Sequence, residues 1–196
     1  MIADSDAKED NAMNRLIARA LLTSPLLFAM GAQRPFTLSS SSFKDGAVLQ
    51  QKFAGNIAGN PNCVGQNVSP QLSWSNVPEG TKSLVFFMID PEGRAGGGVN
   101  HWVAYGIRPE RGGFAEGEVA RAPTGFTGGK STQGLDHYMG PCTPPGTTWH
   151  HYTFVVVATD LEPDALPPGL TREEILPKLT GHAKGSSGLV GRFRHP

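Results

Sequence analysis

Two carboxylates, two imidazoles and a phenol stand out as groups that could do chemistry together: Asp90, Glu92, His101, His150 and Tyr152. A histidine that donates one ring nitrogen to a carboxylate keeps the other for a ligand. Two such rings beside the glycine-rich stretch Ala95-Gly96-Gly97-Gly98 would suit a phosphate or a carboxylate. The same residue types could hold zinc for a metal-dependent hydrolase. The chain lacks the tight ligand spacing of a helix-borne motif such as His-Glu-x-x-His, so anion binding is the stronger reading and hydrolysis the alternative. His150 follows a stiff approach, MGPCTPPGTTWHHYTF over 139–154. Pro141, Pro144 and Pro145 fix φ and remove donors, describing a rigid loop that feeds polar aromatics onto a strand end.

Strands must carry these groups. Leu72 to Ser75 alternates between turn signals and reads as a short strand. Leu84 to Ile89 is a continuous apolar run, as in a central strand covered on both faces. It ends at the turn Asp90-Pro91-Glu92-Gly93. If 83–90 and 99–107 pair as antiparallel neighbours, Asp90 comes near His101. Period-two alternation places Val99, His101, Val103, Tyr105 and Ile107 on one face. It also places His150, Tyr152, Phe154 and Val156 together on the next strand, 150–159, with His151 turned away as a surface or packing residue. Residues 108–138 form a long irregular excursion. Thr171-Arg-Glu-Glu174 is a capping-box signal for a short or kinked helix, since Pro177 lacks the N–H that would bond Glu173. Ile175, Leu179 and His182 lie on one side of it, and Gly188 to Phe193 reads as a last strand.

The chain has 196 residues, with Lys+Arg and Asp+Glu both 17, so it lacks the basic footprint of a nucleic-acid binder. Twenty-five glycines and 16 prolines favour a loop-rich β architecture. From Met13 onward, Arg15 and Arg19 precede a short apolar stretch, Ala20 to Ala32, with Ala29-Met30-Gly31 as a small-x-small cleavage site. This is the pattern of an export signal. We therefore expect a leader over 1–32, a mature start near Ala32, one domain over 35–196, and a periplasmic or secreted protein. Two cysteines, Cys63 and Cys142, could be bonded after export or remain buried thiols. Gly128-Gly129-Lys130-Ser131-Thr132 is no phosphate loop, because the first glycine of that motif falls at Thr124. No Gly-x-Ser-x-Gly elbow of a serine hydrolase occurs.

Asp90-Pro91-Glu92, His101-Trp102, Gly140 to Gly146 and His150-His151-Tyr152-Thr153-Phe154 stand together in an order and spacing that resembles a known family. It is the phosphatidylethanolamine-binding proteins, also called Raf-kinase-inhibitor-like proteins, in their bacterial branch. Asn62 to Pro70 and Gly188 to Phe193 are similar to that branch too. The resemblance implies a mainly β fold of packed antiparallel sheets with a short C-terminal helix and a small anion pocket. By position it implies Asp90, Glu92, His101, Pro141, His150 and Tyr152 as ligand-binding residues, with no catalytic residue, no metal and no cofactor. It places both cysteine loops near the pocket, from which we expect a Cys63–Cys142 disulfide. Family members bind phosphate-bearing head groups, and several modulate kinases or proteases by contact. This chain departs from the family's Asp-Pro-Asp-Ala-Pro at Glu92-Gly93-Arg94, which brings in a cation, and it stops soon after Phe193, without the helix that closes the pocket in animal members. We expect a non-enzymatic binder of a small phosphate-bearing or other anionic ligand. A protein partner contacted through 108–138 and a homodimer stay open as further associations; nucleic acid does not.

Overall fold

The computed structural model describes residues 34–196. The expected leader and cleavage site fall in residues 1–33 and lie outside the described residues.

The described residues form nine strands and one helix: β1 (Thr37–Ser39), β2 (Ala47–Val48), β3 (Leu72–Ser75), β4 (Ser83–Asp90), β5 (Val99–Ile107), β6 (Gly113–Phe114), β7 (Thr127–Gly128), β8 (His150–Thr159), α1 (Arg172–Lys178) and β9 (Ala183–Phe193). They form a six-stranded sheet in the order β2-β9-β8-β4-β5-β7 and a three-stranded sheet in the order β1-β3-β6. All pairs are antiparallel except β2 with β9, so the large sheet is mixed.

The apolar run of β4 is buried on both faces. Leu84, Phe86 and Met88 join Trp74, Trp102, Phe114, Phe154 and Val156 in the larger core cluster. Val85 and Phe87 face the other way, onto Val103, Tyr105, Ile175 and Leu179. Burying each such aromatic or aliphatic side chain stabilises by about 1.5–3 kcal/mol. Phe114 is the hub of the larger cluster, with ring centroids of Trp74, Phe86, Trp102 and Phe126 at 5.4–5.7 Å in edge contacts. Such edge contacts suit the quadrupoles of the rings.

The helix is short for the reason the sequence contains. Thr171 caps it and Glu174 reciprocates, a complete capping box. Pro177 sits in the last turn and withholds one bond, to the Glu173 carbonyl, and the helix ends at the next residue. His182 lies beyond the helix and pairs with Asp160 through Nδ1 at 2.7 Å. β9 begins earlier than expected, at Ala183 rather than Gly188, because its glycine- and serine-rich start pairs with the last residues of β8. The 108–138 excursion carries structure of its own: two 3-10 turns, β6 and β7.

Two irregularities in β5 overturn the expected alternation. Leu84 pairs with Ile107 and Phe86 with Ala104, so Tyr105 and Gly106 together oppose Val85. Gly106 takes up the bulge in the left-handed region, at φ 67°. Ile107 therefore faces the larger core with Trp102 and Ala104, not the helix side with Val103 and Tyr105. At the other end Met88 pairs with Trp102 and Ile89 with Asn100, which leaves His101 as the extra residue. His101 is thus turned to the Tyr152 side of the sheet, away from the face of Val103.

Candidate functional site

Asp90 closes β4 at the end of the sheet where β5 and β8 begin. Its carboxylate is 3% exposed and fully engaged. Oδ1 accepts the backbone N–H groups of Glu92 and Gly93, each at 3.1 Å. Oδ2 accepts from His150 Nδ1 at 2.8 Å. An ionised carboxylate can only accept, so the His150 proton on that bond belongs to Nδ1 and Nε2 is left for another partner.

His101 is held in the same sense by a different group. Its Nδ1 lies 2.8 Å from the carbonyl of Met139, which can only accept. Its Nε2 stands 3.9 Å from Asp90 Oδ2, beyond hydrogen-bond reach. Burial pushes the His101 imidazole below its ordinary pKa, against the opposing pull of the Met139 carbonyl and Asp90. The ring is neutral at pH 7 and presents a lone pair at Nε2.

Tyr152 sits between the two rings, edge-on to His101 with centroids 5.2 Å apart and stacked near His150 at 6.5 Å. Burial raises its phenol well above the usual range, so it stays a neutral O–H. Its oxygen lies 3.2 Å from Thr143 Oγ1. Glu92 is covered from the side by His151, whose Nδ1 donates to Oε1 at 2.7 Å and whose backbone N–H donates to Oε2 at 3.0 Å. Burial alone would raise the Glu92 carboxyl; the two bonds from His151 outweigh it and hold the group low. His151 is thus the partner of a site residue, which alternation alone could not show.

Asp90, Glu92, His101, His150 and Tyr152 line one cavity of about 380 Å³. Pro141 does not belong to it, contrary to the expectation from the sequence. Pro141 is buried, and its carbonyl accepts the N–H of Gly55 at 2.8 Å. Its neighbours Cys142, Thr143 and Pro144 form that wall instead. Arg94, Gln133 and Thr147 add polar groups to the lining, and Gly93, Ala95 and Val99 its small and apolar ones; of the polar three only Arg94 carries a signal in the sequence. The glycine loop contributes shape more than donors. The N–H groups of Gly96, Gly97 and Gly98 bond to the carbonyls of Glu92, Arg94 and Gly93 within the loop.

Asp90, Glu92 and His150 offer ligand atoms within 4.8 Å of one another. In the structure His150 Nδ1 is engaged by Asp90 and Glu92 Oε1 by His151. Cys63 and Cys142 are joined by a disulfide, with Cα atoms 4.3 Å apart.

Residues 39–194 match the family model described as phosphatidylethanolamine-binding protein. Among curated proteins, LppC of Mycobacterium tuberculosis, named as a lipoprotein, is 35% identical over 162 residues, covering 83% of this chain and 74% of its own. YbcL of Escherichia coli is 33% identical over 156 residues, 76% of this chain and 81% of its own. The solved YbcL structure superposes with a TM-score of 0.74 at 28% identity over 83% of this chain and all of that one. A phosphatidylethanolamine-binding protein homologue from Chlamydia trachomatis gives 0.69 at 30% identity over 82% of this chain and 98% of its own. The matched residues take in the whole large sheet and every residue around the cavity, and the chain belongs to the phosphatidylethanolamine-binding protein family.

Proposed function

We propose that the cavity between Asp90, His101 and His150 binds the phosphate of a small phosphate-bearing molecule, a phosphomonoester or a phospholipid head group, without converting it. The observation that carries this reading is the tethering of both imidazoles by Nδ1, one to Asp90 and one to Met139. Each ring keeps Nε2, already oriented, to accept from a P–OH of the ligand or, as an imidazolium, to donate to a phosphate oxygen, so less entropy is lost on binding. The lining favours binding over catalysis. The Thr143 hydroxyl meets a phenol and not a base, and Cys142 is tied in the disulfide. The disulfide, the export pattern in the sequence and a relative named as a lipoprotein together support a location outside the cytoplasm.

Calorimetric titration with an alkyl phosphate tests the reading. Wild type should bind, and His150→Ala should weaken binding about tenfold to a hundredfold, as for loss of a hydrogen bond to a charged group. His101→Ala should do the same, although this ring is 4% exposed and its fold must be verified by circular dichroism. His182→Ala is the suitable control, since its ring pairs with Asp160 outside the cavity. His151→Ala is not inert, because it uncovers the Glu92 carboxylate. Equal affinity of wild type and His150→Ala would remove the basis for the proposal.

A further inference from the structure

A second cavity, of about 620 Å³, lies against the first. Arg94, Val99 and Gln133 line both, so the two adjoin at these residues. Arg94 and Gln133 are exposed, and Arg94 is held in the left-handed region at φ 53°, uncommon for a residue with a side chain. Strain of this kind is found at ligand clamps.

The second cavity is cationic where the first is not. Arg94, Lys130 and Arg172 line it against one acid, Glu173. Glu173 is already met by Asn100 Nδ2 at 2.9 Å and lies 3.6 Å from Arg172 Nη1. The ion pairs among the described residues include neither Arg94 nor Lys130. Arg172 Nε is buried with no hydrogen-bond partner among the described residues. That nitrogen is closed to the cavity, so the cations that face it outside any ion pair are Arg94 and Lys130.

The lining is braced before any ligand arrives. Lys130 N–H donates to the Leu170 carbonyl at 2.8 Å, and Thr132 N–H to the Asn100 carbonyl at 2.9 Å. These bonds fix the 130–134 loop to β5 and to the segment that leads into α1.

We propose that this cavity is a second anion subsite, so that the ligand of the Asp90 cavity is a small molecule carrying two anionic groups, such as a bisphosphate or a phosphorylated carboxylic acid. The proposal rests on the reading of the first cavity as a phosphate site. Arg94, standing between the cavities, would contact both groups.

Titrating one alkyl monophosphate and a series of alkanediol bisphosphates of increasing chain length tests it. The best bisphosphate should bind roughly tenfold or more tightly than the monophosphate, as expected for one further charge-assisted contact. Lys130→Gln, on an exposed side chain, should erase most of that preference and leave the monophosphate unchanged. Arg172→Gln should act alike, but its guanidinium also lies over the Phe87 ring at 5.7 Å, so Lys130→Gln is the deciding variant. A short-chain phospholipid with a phosphorylated head group, run beside its unphosphorylated form, separates a lipid source from a free one; preference for the phosphorylated form again supports the subsite. Equal binding of mono- and bisphosphates overturns this inference alone, whereas no binding by any probe overturns the phosphate reading and this one with it.

Discussion

His101 is kept neutral by its surroundings, and that has a sign that can be measured. Burial lowers its pKa, and the carboxylate of Asp90 at 3.9 Å is too distant to restore it. A phosphate entering beside Nε2 adds negative charge at short range and raises that pKa. Between the depressed value of the free protein and the raised value of the complex, the complex holds more protons than the separate partners. Affinity should therefore tighten as pH falls through that window and level off above it. A dialkyl phosphate is the probe of choice because it does not itself titrate there. Calorimetry in buffers of different ionisation enthalpy should show net proton uptake on binding by wild type and little by His101→Asn. Uptake of the same size in His101→Asn would place the titrating group elsewhere. Tyr152, held neutral, and Glu92, held ionised, take no part in this change.

The strands that carry these residues were legible in the sequence, because apolar runs and turn signals mark their ends. The face of each residue in β5 was not. Alternation counts residues, whereas facing depends on the register with β4, and two bulges shift that register within one strand. Between them, from Trp102 to Tyr105, alternation holds. A glycine inside a strand is a weak sign of a bulge, and Gly106 bears it. Nothing local marks His101, whose extra position follows from how β4 turns at Asp90. The antiparallel pairing of 83–90 with 99–107 brought His101 near Asp90 on paper, whereas periodicity set its side chain on the wrong face. The two bulges differ in what they demand. Gly106 needs φ 67°, and a Cβ there would stand 2.2 Å from the carbonyl oxygen of Pro163. Gly106→Ala should destabilise the fold by about 1–3 kcal/mol or more, the scale of a residue forced into a sparsely populated conformation. It should leave phosphate affinity intact, since Gly106 is at the end of β5 remote from the cavity. Urea denaturation and calorimetry on the same sample check both halves. An unchanged midpoint would mean that the bulge relaxes without cost.

At the scale of the whole molecule, the stiff loop before His150 is held from outside itself. Residues 131–149 contain no strand or helix, so the prolines limit the backbone but cannot place it. Placement comes from the segment before β3. Asn67 Oδ1 accepts the Gly140 N–H at 2.8 Å, and Asn67 Nδ2 donates to the Tyr138 carbonyl at 3.2 Å. The Gly55 N–H holds Pro141, and the disulfide fastens Cys142 to Cys63 across 79 residues of sequence. Gly55 has no room for a side chain there, since a Cβ would meet Cys142 Sγ at 2.5 Å. The pairing could not be derived from residue spacing, because which loops meet depends on the sheet order. Closing a loop of this length restricts the unfolded chain by about 4.5 kcal/mol on the chain-entropy model. Native strain subtracts from that figure. For a domain of this size the loss should lower the melting temperature on the order of 10 °C. The Cys63→Ser, Cys142→Ser double variant should show that fall. It should also bind phosphate more weakly below the transition, because Cys142 and Thr143 are cavity wall and Thr143 meets Tyr152. Thiol counting on denatured, unreduced protein from its exported fraction should find none free. Two free thiols there, or a double variant that melts and binds like wild type, would mean that Asn67 and Gly55 hold the loop without the covalent bond.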